Sequence, residues 1–338
     1  MSLVFVTQAV DPEDPVLGAT VAQVRALAAR VDRLAVLARR IAPEALPANC
    51  VARSFAAPTQ ALRGARFLAA LAPELARRPL AVVVHMSPIY LLLAEPLARP
   101  LRVPLLLWFT QQGARRRRLR AAERAAAAIL TVDARSVPLR STKVRAIGHG
   151  IDLAAFPCGR ERRPPLRALV GLGRYAPVKG WETALRALAR LPEARLELHG
   201  PVLTERDRAH LPALQALARK LGVADRVQFG GPVPYREVPA LLAAADALVD
   251  ATAGNAADKV VFEACAACLP AFCASPVFDR LLPEALRFPA GDADALAARI
   301  RAYPGGDGAA LRARVAAEHS VEHWADAVLA AARRARGR

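Results

Sequence analysis

The feature that most constrains this chain is a rhythm in which short apolar runs alternate with stretches of helical periodicity. Strands are predicted at residues 3–6, 33–37, 51–55, 80–84, 104–109 and 129–132, with helical patterns between most of them, the first over 19–29. The rhythm resumes at 168–172 and continues through 195–198, 226–229, 247–249 and 271–273, with helices starting from Glu182, Arg206, Arg236, Lys259 and Asp294. Strand, helix and strand in succession form a βαβ unit, and repeated units build a parallel sheet covered by helices. In between, residues 152–165 (DLAAFPCGRERRPP) combine three prolines, a glycine and clustered charge, and the pattern fails. The expected fold class is therefore α/β, with two Rossmann-like domains facing across a cleft: residues 1–152, a linker at 153–165, and residues 166–338. A last helix over 321–332 is placed to cross back to the first domain.

Composition narrows the partners. A net charge of +18 and a pI of about 11.1 raise nucleic acid, an anionic membrane or an acidic ligand. The arginine excess, however, comes with abundant Ala, Leu and Pro as a bias spread along the chain. Aromatics are only 5%, and no basic run is interleaved with Phe or Tyr as a stacking platform needs. Nucleic acid is disfavoured on that ground. The contiguous cluster Arg115, Arg116, Arg117, Arg118 and Arg120 is either a solvated face or a contact for anionic lipid head groups. The opening MSLVFVTQ has no basic residue before Arg25 and does not read as a signal peptide. The longest apolar stretch, 80–94, is interrupted by His85, Ser87 and Pro88 and is too short to span a bilayer. Cys50, Cys158, Cys265, Cys268 and Cys273 are odd in number and scattered, which argues against a disulfide framework and for a reducing compartment. Cys265 and Cys268 lie in a helical pattern without a second pair or a nearby His, so buried thiols are expected rather than zinc. The expectation is a cytoplasmic protein, peripheral at the inner membrane face.

The most informative loop is 168–180, ALVGLGRYAPVKG, where an apolar run gives way to a turn and then to a helical pattern. In a parallel sheet such a loop lies at the carboxyl edge, where the next helix's N-terminus offers free N–H groups to anions. Gly173 opens the turn, and Arg174 and Lys179 flank it. Lysine occurs only at 143, 179, 220 and 259 among 48 basic residues, so a lysine here is the marked choice. It supplies a compact point charge for a phosphate, whereas arginine supplies a planar fork. A phosphate or diphosphate site is one reading and a solvated helix start is the other; the loop alone does not separate them. Two further segments border the same predicted edge. One is Gly230-Gly231-Pro232-Val233-Pro234-Tyr235. The other is 251–270, ATAGNAADKVVFEACAACLP, in which a small-residue loop containing Asn255 lets a ligand approach the backbone. Its helix carries Asp258, Lys259, Val260 and Glu263. Lys259 and Glu263 make an i,i+4 pair, but their neighbours are apolar on nearly every face, and a buried carboxylate needs a partner. Vicinal ribose hydroxyls are one such partner.

The segments GRYAPVKGWETALRAL, LGVADRVQFGGPVPYREVPALLAAADALV and DKVVFEACAACLP together resemble the signature segments of the retaining glycosyltransferases of family 4, which have the GT-B fold. VTQAVDPEDPVLGATVAQVRALAARVDRLAVLA, HMSPIY, PLLLWFT and KVRAIGHGID resemble one branch of that family, so the likeness spans nearly the whole chain. The resemblance implies that Arg174 and Lys179 hold a donor's diphosphate and that Glu263, the second acid of an E-x7-E motif, binds its ribose. The first acid falls on Asn255, an amide, and Asp258 and Lys259 are placed to serve the site instead. Where many relatives carry a His reaching the donor sugar, Trp108-Phe109-Thr110 is followed by Gln111 and Gln112. The resemblance further implies transfer on one face of the sugar, with the leaving phosphate helping to deprotonate the acceptor.

In the first half, Gly18 closes a loop whose backbone is expected near the diphosphate, and His85 ends a strand at the cleft; a lone strand-end His is more often structural, and that role is open too. Arg174, Lys179, His85 and Gln111 are thus the catalytic candidates. Gly18, Gly173, Pro234, Asn255, Asp258, Lys259, Val260 and Glu263 join Arg174 and Lys179 as nucleotide-sugar-binding candidates. No cofactor or metal is required, because the D-x-D at Asp292 and Asp294 opens a late helix and the two cations can neutralise a diphosphate. The expected function is transfer of a sugar from a nucleoside-diphosphate sugar to a glycan or lipid-linked acceptor. The alternatives are a nucleotide-sugar-binding protein that has lost transfer, and a sugar-nucleotide epimerase.

Overall fold

The computed structural model describes residues 1–110 and 116–337, and the chain divides into two compact units. Unit 1 comprises Met1–Gly150 with Glu318–Arg338, and unit 2 comprises Ile151–Ala317. The strands are β1 (Ser2–Val6), β2 (Ala9–Val10), β3 (Arg33–Ala38), β4 (Arg40–Ile41), β5 (Cys50–Ser54), β6 (Val82–His85), β7 (Leu105–Trp108), β8 (Ala128–Thr131) and β9 (Val144–Ala146) in unit 1. Unit 2 holds β10 (Ala168–Leu172), β11 (Arg195–His199), β12 (Val227–Gly230), β13 (Ala247–Asp250) and β14 (Ala271–Cys273). The helices are α1 (Thr20–Ala28), α2 (Gln60–Ala76), α3 (Pro88–Ala98), α4 (Arg116–Ala125), α5 (Trp181–Leu188), α6 (Glu205–Lys220), α7 (Val238–Ala244), α8 (Lys259–Ala266), α9 (Ala293–Arg301), α10 (Gly308–His319) and α11 (Val321–Arg336).

Unit 1 is a seven-stranded parallel sheet in the order β5-β3-β1-β6-β7-β8-β9. Its central strands read as continuous apolar runs, LVFV and VVV, because both faces of a parallel sheet are covered by helices. One layer of the core joins Val4, Val6, Leu37, Val84 and Leu107 to Phe55, Phe67, Leu71 and Tyr90. The order reverses between β1 and β6, where Val6 pairs with Val84 and the chain leaves both strands at Thr7 and His85. α11 belongs to this unit, as its apolar stripe dictates: Trp324, buried, packs edge-on against Trp108 and Phe5 with ring centroids 6.1 and 6.4 Å away. Arg30 on the end of α1 clasps Asp326 through both nitrogens, at 2.6 and 3.2 Å.

Unit 2 is a five-stranded parallel sheet in the order β12-β11-β10-β13-β14, which reverses between β10 and β13. Residues 153–165, expected as a linker, belong instead to unit 2. Phe156 and Arg162 are buried there, and the Arg162 guanidinium donates to the carbonyls of Ala245 and Ala243 at 3.2 and 2.9 Å. The prolines mark a folded strap, not a free connection. That strap also corrects the cysteine reading. Cys158 lies on it and forms a disulfide with Cys268, Cα atoms 5.0 Å apart, while Cys265 and Cys273 are buried thiols. A pairing across 110 residues leaves no spacing signal in a sequence.

Candidate functional site

At the reversal point of unit 2 the loops leaving β10 and β13 diverge, and a crevice at the carboxyl edge is where parallel sheets bind ligands. The loop after β10 is held in one shape. The Gly173 amide donates to His199 O at 2.9 Å, the Trp181 indole donates to Arg174 O at 3.0 Å, and the Tyr175 hydroxyl lies 2.7 Å from the carbonyls of both Leu198 and Gly230. Glycine is needed twice. A Cβ on Gly173 would lie 2.9 Å from Cε of Lys179, and Gly180, with φ +64°, would set one 2.4 Å from Ala251 O. Between these glycines the short turn Pro177–Lys179 delivers Lys179 to the edge of the sheet.

Lys179 is not a free cation. Its Nζ lies 2.6 Å from Asp258 Oδ2, just before α8, with the two side chains 14% and 22% exposed. The Thr252 hydroxyl bridges Asp258, at 2.6 Å, and Asp250, and the Thr252 amide donates to Asp250 Oδ1 at 3.1 Å. A hydroxyl has one proton, so it donates to one carboxylate and accepts from the other only if that one is protonated. Burial, with the charge of Asp258, pushes Asp250 up to about 7. At Asp258 burial also opposes ionisation, but Lys179 and Thr252 prevail and hold it below the usual carboxylate range. For Lys179, burial works against the charge and is outweighed by Asp258 and Asp250, so its pKa rises and the ammonium persists. Arg174 is anchored differently. Its Nη1 lies 3.3 Å from Asp207 Oδ2, on a buried carboxylate that closes the capping box of α6 with Thr204, while the Arg174 side chain stays 38% exposed. Burial disfavours the Asp207 anion, yet hydrogen bonds from Leu203 and Thr204 and the charge of Arg174 lower its pKa.

Glu263, on α8, is 2% exposed. Its Oε1 accepts from the Tyr235 hydroxyl at 2.8 Å and lies 3.2 Å from Lys259 Nζ, which sits 3.9 Å from the Tyr235 ring centroid. Burial, then the Glu263 charge, drive the Tyr235 hydroxyl far above its ordinary pKa, so it remains a donor. Pro234 precedes Tyr235 and starts that turn, Val260 is buried on α8, and Asn255 is half-buried beyond Gly254. In unit 1, His85 is buried at the end of β6, 2.9 Å from Thr7 Oγ1 through Nδ1 and stacked on Phe5; Gly18 is buried and donates to Asp14 O at 2.9 Å. Gln111 and Arg115 lie outside the described residues.

The geometry thus brings Arg174, Lys179 and Asp258 to one edge, with Lys259 next to Asp258 and Glu263 one helix turn along. Sequence reasoning missed Asp250, Thr252, Asp207 and the role of Tyr235. Two signals were present: Asp250 ends an apolar strand at the carboxyl edge, and Thr204-x-x-Asp207 is a capping box. Asp250 yields a test. A carboxyl whose folded pKa is raised contributes stability that is full below its unfolded value, 3.8, and is lost as pH rises through about 7. Asp250→Asn should therefore gain stability relative to the wild type by about 1.4 kcal/mol per pH unit across that window. Denaturant titrations from pH 4 to 8 measure it; a constant difference between the two proteins would show that Asp250 titrates normally.

Comparison with known proteins places this geometry. The two-unit fold is shared with Anabaena HepE, crystallised with UDP and glucose (TM-score 0.75, 18% identity, 97% of this chain and 98% of that one). It is shared equally with sucrose-phosphate synthase from Thermosynechococcus elongatus (TM-score 0.78, 19% identity, 97% of each chain). The fold is GT-B. Residues 163–303, which contain the whole Arg174–Glu263 constellation, match the family model of glycosyl transferases group 1. Over 150 residues it is 33% identical to D-inositol 3-phosphate glycosyltransferase of Streptomyces avermitilis, a match covering 39% of this chain and 32% of that protein, about a third of the relative's length.

Proposed function

We propose that the protein is a retaining glycosyltransferase that moves a sugar from a nucleoside-diphosphate sugar to a glycan or lipid-linked acceptor. The observation that carries this reading is the meeting of an exposed guanidinium and a buried ammonium at the reversal point of unit 2, with a buried carboxylate on the adjacent helix. Arg174 offers its uncommitted N–H groups to the diphosphate. Lys179, held charged by Asp258, neutralises the negative charge that grows as the sugar–phosphate bond breaks. Glu263, oriented by Tyr235 and Lys259, accepts from the ribose hydroxyls. The leaving phosphate oxygen takes the acceptor proton on the face from which the diphosphate departs, so configuration is retained. Uridine is the first base to try, since the HepE structure holds UDP. Incubation with UDP-sugars and a panel of acceptors, followed by NMR of the product, should yield a glycoside with the donor's anomeric configuration. An inverted product, or only a free epimerised sugar, would contradict the proposal.

A lipid-linked acceptor gives α4 a role. Arg116, Arg117, Arg118, Arg120 and Arg124 are exposed, and none meets a carboxylate among the described residues, while Leu119 and Ala122 anchor the opposite face. No helix among the described residues is long and apolar enough to cross a membrane. Replacing Arg116, Arg117, Arg118 and Arg120 by Ala should abolish co-sedimentation with phosphatidylglycerol vesicles, each residue contributing about 1 kcal/mol at low salt. Wild-type protein that binds neutral and anionic vesicles alike would refute this role.

A further inference from the structure

Unit 1 has its own basic depression, which the nucleotide reading does not use. It measures about 520 Å³ and lies at the carboxyl edge of β1, β3 and β5, bordered by Gln8, Asp14, Arg39, Arg40, Arg66 and the backbone of residues 56–58. The arginines differ in what already satisfies them. Arg40 is neutralised by Asp11, at 2.8 Å, and by Asp14. Among the described residues the Arg39 guanidinium meets only the Gln8 amide oxygen, at 3.4 Å, and Arg66 leans on the carbonyl of Ala56. Behind them Arg63 donates from Nη2 to Ala57 O at 3.0 Å, and its Nε is buried with no hydrogen-bond partner. Among the described residues no carboxylate pairs with Arg39, Arg63 or Arg66. Unpaired guanidinium groups repel, and solvation alone is better served by spreading them. Here two of the three are tied to the carbonyls of one short loop, so their charge is held at the depression.

We propose that this depression is an anion site that receives a phosphomonoester of the acceptor. The acceptor assignment rests on the transferase reading; the anion site stands on the arginines. A carboxylate is satisfied by a single guanidinium fork, whereas a phosphate dianion has three terminal oxygens and takes several donors at once. Arg39 and Arg66 at the opening, with Arg63 behind them and the Gln8 amide beside them, match the second count.

The test is calorimetry of the full chain with inorganic phosphate, in a Lys179→Ala/Asp258→Asn background that removes the Lys179 contact of unit 2 without leaving a buried charge. Arg39→Ala and Arg66→Ala should each weaken phosphate binding about tenfold or more. In the otherwise wild-type chain the same two substitutions should leave UDP affinity unchanged, which also shows that the fold survives. Phosphate affinity indifferent to both substitutions would overturn the proposal, and so would acetate binding as tightly as phosphate. The UDP titration reports on unit 2 alone, so failure of the transferase reading shows as absent UDP binding beside an intact phosphate site.

Discussion

Lys179→Ala should weaken nucleoside-diphosphate binding roughly thirtyfold or more, about 2 kcal/mol, and also destabilise the protein by about 3 kcal/mol. The two effects have different origins. The first is the lost cation at the diphosphate. The second comes from Asp258, whose carboxylate keeps Thr252 but loses the ammonium 2.6 Å away. A removed partner leaves an uncompensated charge, which is costlier than the pair was worth. Lys179→Ala/Asp258→Asn therefore separates them: the neutral amide restores most of the stability, and the diphosphate affinity stays low. Denaturant titration measures the stability and calorimetry the affinity. If the double variant regained full affinity, Lys179 would be a structural ion-pair partner and no more.

The second large effect is expected at Glu263. Glu263→Ala removes the acceptor for the Tyr235 hydroxyl and the counter-charge for Lys259 in a site where the carboxylate is 2% exposed. It should lower UDP affinity about a hundredfold, while Glu263→Gln, which keeps the shape and one acceptor oxygen, should lose about tenfold. If Glu263 served the ribose, the loss would appear for UDP and uridine alike and would be absent for pyrophosphate. An equal loss for pyrophosphate would mean that the substitution had collapsed the turn at Tyr235.

These expectations rest on a site that was legible in part. Strands with apolar runs were placed to within a residue or two, because both faces of a parallel sheet must be apolar. The edge strand β9, half exposed as Val144-Arg145-Ala146, has no such run and went unread, as did α10, whose alanines and arginines make no apolar stripe. In the site, Arg174, Lys179 and Glu263 stood out through their segments, since glycine, loop and helix must follow one another locally. What holds them did not. Asp207 reaches Arg174 from 33 residues on, and Asp258 reaches Lys179 from 79, and such ion pairs exist only once the sheet has brought their loops together. The i,i+4 pair of Lys259 and Glu263 was legible for the opposite reason, being fixed by one helix turn. The linker reading of 153–165 failed because proline and charge mark irregular backbone, whether or not that backbone packs.

The turn from Gly173 to Gly180 is expected to hold a diphosphate. Calorimetric titration of the wild-type chain with uridine, UMP and UDP tests it most directly. Affinity should climb with phosphate count, UDP binding at least about tenfold tighter than UMP, as one further charge-assisted contact requires. Equal affinity for all three, or no binding of UDP, would contradict it.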